Sequence, residues 1–307
     1  MPGEIAVTVL MAVYNEARFA PAAVESILGQ TFADFEFLII DDGSTDSSAT
    51  YLRDLHDPRV RLLRNAGNLG LTRSLNKGLD AARGKYIARM DADDIALPDR
   101  LTSQVAFLDA TPHVGIVGSS RILIDENGQQ IAVAHAAEDD LAIRWKCLLG
   151  NPFAHPTVML RGHFLHEHHL RYDETFRTAQ DYELWSRLLM HTQGANLREP
   201  LLRYRLRDGI SKTCKPEQLD NHDRIALAAC ARLLPGFPVS AQDVTNLRGR
   251  FGGFSVRDAA MDPADPIWLE KYRKMFDAFA EANAGRPGID AVRPHLEFPS
   301  TGTPGDG

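Results

Sequence analysis

Short apolar runs alternate with segments of helical periodicity along the first 120 residues of the chain. Runs such as Phe35–Asp41 and Tyr86–Met90 contain few polar positions, which is typical of strands buried on both faces. In the segments between the runs, apolar residues recur every three or four positions and indicate amphipathic helices. The predicted strands are Ile5–Val13, Phe35–Asp41, Val60–Arg64, Tyr86–Met90 and Gly115–Ser119, and the predicted helices are Ala20–Leu28, Asp46–Leu55, Leu71–Ala82 and Pro98–Ala110. This alternation predicts an α/β fold with a Rossmann-like, mostly parallel sheet flanked by helices, which binds ligands at the carboxyl ends of its strands.

The pattern changes after Ser120. The pair Asn127-Gly128 lies between two apolar segments and predicts a hairpin of Arg121–Ile124 with Gln130–Ala134. Further predicted elements are a helix at Glu138–Leu149, a strand at Thr157–Leu160, a helix at Asp181–His191, a strand pair within Ala195–Arg207, and helices at Glu217–Leu233, Ala241–Arg248 and Pro263–Asn283.

These elements predict three parts of the chain. We expect residues 1–215 to form one domain, in which residues 121–215 extend the sheet begun by residues 1–120. Residues 216–284 are expected to form a helical C-terminal extension. The last residues, 285–307, are rich in Pro and Gly and are expected to be a disordered tail.

Composition and charge narrow the range of partners. With 34 basic and 41 acidic side chains the formal charge is −7, which disfavours nucleic acid or an anionic membrane as a partner of the whole surface. No apolar stretch is long enough to span a bilayer and no basic leader is recognisable, so we expect a cytoplasmic protein. The three cysteines show neither disulfide nor zinc spacing.

Acidic residues follow two of the predicted strands. Asp41 and Asp42 end the second strand, and Asp91 and Asp93 follow the fourth. Carboxyl ends of parallel strands share one edge of the sheet, so these side chains are expected to line one crevice. We expect no basic residue beside Asp91 and Asp93. Because two converging carboxylates repel each other, they then require a cation. Sparse oxygen ligands suit Mg²⁺ or Mn²⁺ whose coordination is completed by water and a diphosphate.

Two segments carry a resemblance to a known family. They are "VTVLMAVYNEARFAPAAVESILGQTFADFEFLIIDDGSTDSSATYL" and "NLGLTRSLNKGLDAARGKYIARMDADDIALPDRL". Both resemble the GT-A nucleotide-diphospho-sugar domain of family 2 glycosyltransferases. The resemblance covers residues 5 to 120 and continues more loosely to residue 212. It implies a GT-A fold and a nucleotide-diphospho-sugar donor, for which UDP is the expected nucleotide.

The resemblance also implies roles for individual residues on the donor side. Ala12 and Tyr14 match the segment that lies along the nucleoside, and Asp42 matches the aspartate that accepts the uracil N3 proton. Arg73 or Asn68 is expected to approach the nucleotide, with a surface arginine as the alternative for Arg73. In the Asp-x-Asp motif, Asp93 matches the metal ligand, and Asp91 is expected to reach the ribose or metal-bound water.

The expected catalytic base is Asp181. It opens a predicted helix and lies on the same face as Trp185 and Leu188, where burial would raise its pKa. An aspartate that only caps the helix is the alternative, but "AQDYELWSRL" resembles the acidic motif that supplies the family's base. On the acceptor side, His155 is an expected contact. Arg207 and Ser211, in "YRLRDGISKT", match a stretch that closes over the diphosphate.

Together these features predict an inverting, metal-dependent glycosyltransferase that adds one sugar to a hydroxyl of a glycan or glycolipid. The absence of a Gln-x-x-Arg-Trp motif argues against a processive synthase. Two alternatives stay open: a degenerate binding module of the same fold, and a sugar nucleotidyltransferase, which the loop after the first strand disfavours. The helical extension is expected to shape the acceptor site, form a dimer contact or dock peripherally on the inner face of a membrane.

Overall fold

A computed structural model describes residues 5–207, 215–251, 266–286 and 289. Its described part contains one nine-stranded sheet in the order β3-β2-β1-β4-β8-β6-β9-β5, with β7 paired to β6. The strands are β1 Val7–Val13, β2 Phe35–Asp41, β3 Val60–Arg64, β4 Tyr86–Met90, β5 Ile95–Ala96, β6 Val114–Ile124, β7 Gln130–Ala134, β8 Met159–Arg161 and β9 Gln193–Arg205. The helices are α1 Ala20–Leu28, α2 Ser48–Arg53, α3 Leu71–Ala81, α4 Arg100–Ala110, α5 Asp140–Cys147, α6 Gly162–Glu167, α7 Gln180–Leu188, α8 Lys215–Leu233, α9 Ala241–Phe251 and α10 Pro266–Ala282.

The strands of the first half are parallel and separate two hydrophobic cores. β1 pairs with β2 and β4, and β2 pairs with β3, all in parallel. Side chains alternate between the faces, so Leu10 and Leu38 join one core while Val9 and Phe37 join the other. Helices α3 and α7 cover the first core, and α1 and α4 cover the second. Burial on both faces explains why these strands are almost uniformly apolar.

The second half extends the same sheet with mixed pairing. β8 is antiparallel to β4 and β6, whereas β9 is parallel to β6. The predicted hairpin is confirmed as the antiparallel pair β6 and β7. The segments Gly115–Ser119 and Arg121–Ile124, which were predicted as two strands, form the single strand β6. The predicted strand pair in Ala195–Arg207 is instead the single strand β9. Its pairing with β6 shifts register near Ser120 and then continues, so the strand is not divided. The short strand β5 was not predicted.

The C-terminal helices pack on the sheet side that carries α5. Trp145 of α5 lies 5.3 Å, centroid to centroid, from each of three rings of α10, those of Tyr272, Phe276 and Phe279. The Trp145 indole also donates a hydrogen bond of 3.3 Å to the Tyr272 hydroxyl. The predicted helical character of this region is confirmed over the described residues, while the expected disordered tail falls almost entirely outside them. Within the described ranges, no helix has the length and apolarity needed to cross a membrane.

Candidate functional site

The loops after β1 and β2 are joined by hydrogen bonds. Asn15 has a left-handed backbone, with φ of 53°. Its Oδ1 accepts a 2.8 Å bond from the Thr45 amide, and its own amide donates 3.1 Å to the Ser44 hydroxyl. The Glu16 amide donates to Ser48 Oγ at 2.9 Å. The carboxyl ends of the two strands therefore carry one rigid double loop.

Gly43 lets a third loop approach this pair. Its φ is +76°, a conformation that residues with a Cβ rarely adopt. A Cβ at this position would lie 2.5 Å from the carbonyl carbon of Gly67. The β3–α3 loop therefore lies directly against Gly43, where a side chain would not fit.

Asp42 holds that third loop in place. Its Oδ1 accepts hydrogen bonds from the Asn65 side chain at 2.8 Å and the Leu69 amide at 2.9 Å, and its Oδ2 accepts one from the Gly70 amide at 2.9 Å. A carboxylate offers about four acceptor positions, and three of those of Asp42 are used by this loop. The adjacent Asp41 shapes the turn by accepting from the Ser44 amide at 2.8 Å.

Asp91 follows β4 and is paired with a buried arginine. Arg89 points to the same face of β4 as Ile87, is 2% exposed and donates from Nη2 to Asp91 Oδ1. The expectation that no basic residue accompanies Asp91 and Asp93 was therefore wrong. The spacing of two along a strand puts Arg89 and Asp91 on one side, a signal that the sequence contained.

Asp93 and Glu16 share a second arginine. Arg207 Nε donates to Asp93 Oδ2 at 2.6 Å, and Arg207 Nη2 contacts Glu16 Oε1. Burial and the Asp91 carboxylate raise the pKa of Asp93, and burial raises the pKa of Glu16, although Arg207 opposes both changes. Three carboxylates, those of Glu16, Asp91 and Asp93, and two guanidinium groups, those of Arg89 and Arg207, thus lie together at the carboxyl edge of the sheet.

The end of β9 clamps the acidic loop from the other side. The Arg205 amide donates 2.8 Å to Asp94 Oδ1, and the Arg205 guanidinium donates 2.8 Å to the Asp93 carbonyl. Asp94 is 2% exposed, and its Oδ2 has no hydrogen-bond partner among the described residues. Burial and the charges of Asp91 and Asp93 raise the pKa of Asp94 well above its usual range, which disfavours the charged form of this carboxyl.

Asp181 lies on the opposite side of the crevice, at the first turn of α7. Ala179, with φ of 59°, turns the chain into the helix. Asn151 Nδ2 donates a 2.6 Å bond to Asp181 Oδ2 and is itself oriented by the Phe153 amide, which donates to Asn151 Oδ1 at 3.2 Å. The partly buried Asp181 has a raised pKa because of burial, with a smaller contribution from the Asp91 charge. The Asp91 carboxylate therefore lies near enough to Asp181 to disfavour its charged form.

His155 belongs to an aromatic cluster beside Asp181. Its Nε2 lies 2.8 Å from the Tyr172 hydroxyl, and its ring packs edge-on against Trp185 at 6.0 Å. Burial and the Arg89 charge lower the pKa of His155 well below its usual range. A neutral imidazole in this place can exchange a hydrogen bond with Tyr172 but gains a proton only with difficulty.

The sequence of the chain matches the model of a known family. A model of the family described as glycosyl transferase family 2 matches residues 8–170, more than half of the chain. The chain belongs to glycosyl transferase family 2.

Relatives and solved structures agree with this assignment. The transferase is 34% identical over 210 residues to an uncharacterized glycosyltransferase of Haemophilus influenzae, and the match spans 65% of each chain. It is 30% identical over 230 residues to the succinoglycan biosynthesis protein ExoO of Rhizobium meliloti, covering 70% of this chain and 65% of ExoO. The matched part thus spans about two thirds of the length of these relatives.

Two solved structures share the fold. One is S. aureus TarS 1-349 in complex with UDP-GlcNAc, with a TM-score of 0.64, 16% identity, and coverage of 94% of this chain and 87% of that one. The other is the mannosyltransferase PcManGT of Pyrobaculum calidifontis with GDP-Man and Mn²⁺, with a TM-score of 0.54, 18% identity, and coverage of 94% and 78%. The likeness confirms the predicted GT-A type of α/β fold.

The remaining residues that the sequence predicted for the site are Ala12, Tyr14, Arg73, Asn68 and Ser211. Ala12 is partly buried near the end of β1, and Tyr14, just beyond that strand, has 42% of its surface exposed, which leaves its ring available. Arg73 is exposed on α3 and pairs with Glu174 at 3.0 Å, as a surface arginine would. Asn68 is used within its loop, where its Oδ1 accepts from the Gly70 amide at 2.9 Å. Ser211 lies outside the described residues.

Glu16 and Asn151 were missed as parts of the site. Glu16 directly follows the loop residue Asn15 after β1, so its position at a carboxyl strand end was a readable signal. Asn151 is 30 residues from Asp181 in sequence, and no local pattern connects the two. Only the packing of α5 and α7 against the sheet brings them together.

Replacing Gly43 by Ala should destabilise the protein and displace the β3–α3 loop. The positive φ alone costs about 1–2 kcal/mol for a residue with a Cβ, and the contact with Gly67 adds to this. Urea denaturation would measure the loss in the free energy of unfolding. Gly67→Ala is the matched control, since a Cβ there meets nothing within 4 Å and should change stability by less than about 0.5 kcal/mol. Equal stabilities of the two variants would contradict this account of the loop contact.

Proposed function

We propose that the protein is an inverting, metal-dependent glycosyltransferase that transfers one sugar from a nucleotide diphosphate, with UDP as the nucleotide, to an acceptor hydroxyl. The observation that carries the proposal is the position of Asp181. Its partly buried carboxylate faces the acidic edge of the sheet closely enough for the Asp91 charge to raise its pKa. A base and a donor site thus lie on the two sides of one crevice.

The donor side is assigned to the loops after β1, β2 and β4. Ala12 and the exposed ring of Tyr14 would lie along the nucleoside, and the Asp42 carboxylate would receive the N3 proton of uracil. Asp91, fixed by Arg89, would receive a ribose hydroxyl. Arg73 would join them only by leaving Glu174, so we assign it no more than an outer contact with the nucleotide.

The acidic loop fits a divalent cation of the Mn²⁺ or Mg²⁺ type. Asp93 and Glu16 already share the positive charge of Arg207, which stands in the place of a cation. The described residues contain no cluster of three or more acidic, His or Cys side chains of metal-site geometry. Asp93 would therefore hold the ion together with water and the diphosphate, as Mg²⁺ sites with few carboxylates do. Such an ion would neutralise the negative charge of the leaving diphosphate.

Asp181 is the proposed catalytic base. Its raised pKa makes it a stronger proton acceptor than an ordinary aspartate, while Asn151 keeps the carboxylate oriented. His155 is a weaker candidate because its depressed pKa disfavours the protonated form. We assign His155 to the acceptor floor, where Tyr172 fixes its ring.

The proposed reaction is a single displacement. Asp181 takes the proton of the acceptor hydroxyl, and the oxygen forms a bond to the anomeric carbon from the face opposite the diphosphate. The bond from that carbon to the diphosphate breaks, and its electron pair leaves with the diphosphate. One displacement inverts the configuration. Arg207, beside Asp93, is placed to contact the departing phosphate.

The proposed acceptor is a glycan or lipid-linked glycan of a surface polysaccharide. Support comes from the relation to ExoO, whose name places it in succinoglycan biosynthesis, and the donor proposal is supported by the UDP-GlcNAc complex of TarS. We propose residues 1–215 as the transferase domain, with residues 121–215 on the acceptor side, and residues 216–284 as an extension that supports the acceptor side. A cytoplasmic location, peripheral to the membrane through the acceptor, belongs to the same proposal.

Asp93→Ala should abolish metal-dependent nucleotide binding, because Asp91 and Glu16 lie in ion pairs with arginines and Asp94 is buried. Calorimetric titration of UDP with Mn²⁺, and again with chelator, would measure the effect. In the unaltered protein, UDP affinity should fall at least tenfold with chelator. Asp99→Ala is a control that removes an aspartate of the α4 terminus instead. UDP binding that is indifferent to chelator and to Asp93→Ala would refute the metal site.

Asp181→Asn should retain UDP and metal binding yet lose transfer by about 10²–10⁴-fold, the usual contribution of a general base. The variant preserves size and the bond to Asn151 after rotation of the amide. Transfer from UDP-sugars to a glycan panel would be followed by release of UDP. Transfer at the unaltered rate would remove Asp181 from the mechanism.

Asn151→Ala should move the acidic limb of the pH–rate profile to higher pH. The Asn151 amide stabilises the charged form of Asp181, so its loss raises the Asp181 pKa further. Since transfer requires the carboxylate, the rate falls as pH drops through that pKa, and in the variant it falls sooner. Profiles of kcat/KM would be compared with those of Asn127→Ala, an exposed hairpin residue. An unmoved limb would exclude this tuning role.

A further inference from the structure

We propose that Arg207 acts as an internal counter-ion which occupies the cation position of the free enzyme, so that metal and diphosphate must enter together. This inference rests on the proposed metal-dependent function. The Arg207 guanidinium bridges two acidic side chains that are distant in sequence, Asp93 after β4 and Glu16 after β1. It thereby neutralises the same carboxylate that we assign to the metal.

The guanidinium is held from a third direction by an aromatic ring. Arg207 lies over Phe19 at 5.2 Å from the ring centroid, and the neighbouring Arg205 packs on the same ring at 4.6 Å. The exposed fraction of the side chain is 27% for Arg207, 18% for Glu16 and 21% for Asp93. The cluster is therefore only partly shielded from solvent. The ion pairs can hold the three side chains in position, while ions from solvent can still reach them and replace one partner.

A metal ion that arrives alone must displace Arg207 from Asp93. The displaced guanidinium would keep one anionic partner, Glu16, but would lose the other. A nucleoside diphosphate changes this balance because its phosphate oxygens offer Arg207 a new anionic partner while they complete the coordination of the metal. Metal and diphosphate therefore raise each other's affinity by the same factor, as linkage requires.

The coupling has a further requirement. A ligand without phosphates cannot give Arg207 a new partner, so uridine should leave metal affinity unchanged. Glu16 is then a positioning residue: it keeps the guanidinium beside the crevice when Asp93 is taken by the metal.

The test is a titration of the full chain with Mn²⁺, in which free Mn²⁺ is counted by electron paramagnetic resonance. It is done without nucleotide, with uridine and with UDP, for the unaltered protein, Arg207→Ala and Arg207→Gln. Arg18→Ala is the matched control: Arg18 is also an arginine over Phe19, at 4.7 Å, but its partner is Glu126. Thermal unfolding of each variant establishes that it is folded, and the Gln variant serves if the Ala variant is not.

Without nucleotide, Arg207→Ala should bind Mn²⁺ at least fivefold more tightly than the unaltered protein. The stimulation of Mn²⁺ binding by UDP, expected within the usual range of about 5–150-fold, should shrink in the variant. Arg18→Ala should change neither value. Unchanged Mn²⁺ affinity in Arg207→Ala, or an equal gain in Arg18→Ala, would overturn the inference while leaving the metal site standing. If no form of the protein binds Mn²⁺ even with UDP, the metal part of the proposed function fails as well.

Discussion

Carboxylates gathered at one edge of a parallel sheet repel one another, and the structure around this edge is organised to contain that repulsion. Asp91, Asp93 and Asp94 leave β4 within four residues, and Glu16 faces them from the β1 loop. Three different solutions are used. Arg89 neutralises Asp91 from within the sheet, Arg207 bridges the outer pair, and burial raises the pKa of Asp94 and so disfavours its charged form. The strand order, which sets β4 between β1 and β8, makes all three solutions available at one place.

The cations that balance these charges come from both halves of the sheet. Arg89 lies in the parallel half, whereas Arg205 and Arg207 come from the end of β9, which joins the sheet through β6. The acceptor side depends on the same half, because α5 and α7 bring Asn151 to Asp181. Trp145 of α5 is in turn enclosed by the rings of α10. The C-terminal helices are thus part of the support of the crevice.

Much of this architecture is readable from the sequence. The parallel half could be predicted almost residue by residue, since strands buried on both faces, such as Phe35–Asp41, have an unambiguous apolar pattern. Beyond Ser120 the pattern predicted the element types but joined and divided the strands wrongly, because irregular pairing of β6 with β9 has no sequence period. In the site, the acidic strand ends were predictable from their position. The spacing of Arg89 and Asp91 at the end of β4 also indicated their ion pair, but the pair of Arg207 with Glu16 was not predictable, since these two residues are separated by 191 residues and meet only through the sheet order.

That separation also has a consequence for how the protein is made. The residues of the parallel half, β1 to β4, have all been synthesised at residue 90, before any residue of β6 or β9. Its acidic edge, however, lacks Arg207 until β9 has emerged from the ribosome and paired with β6. A nascent chain therefore carries the crevice for a time without its outer counter-ion. The ion pairs of Arg207 with Asp93 and Glu16 can form only after β9 has paired with β6, so the charge balance of the acidic edge depends on the completion of the whole sheet.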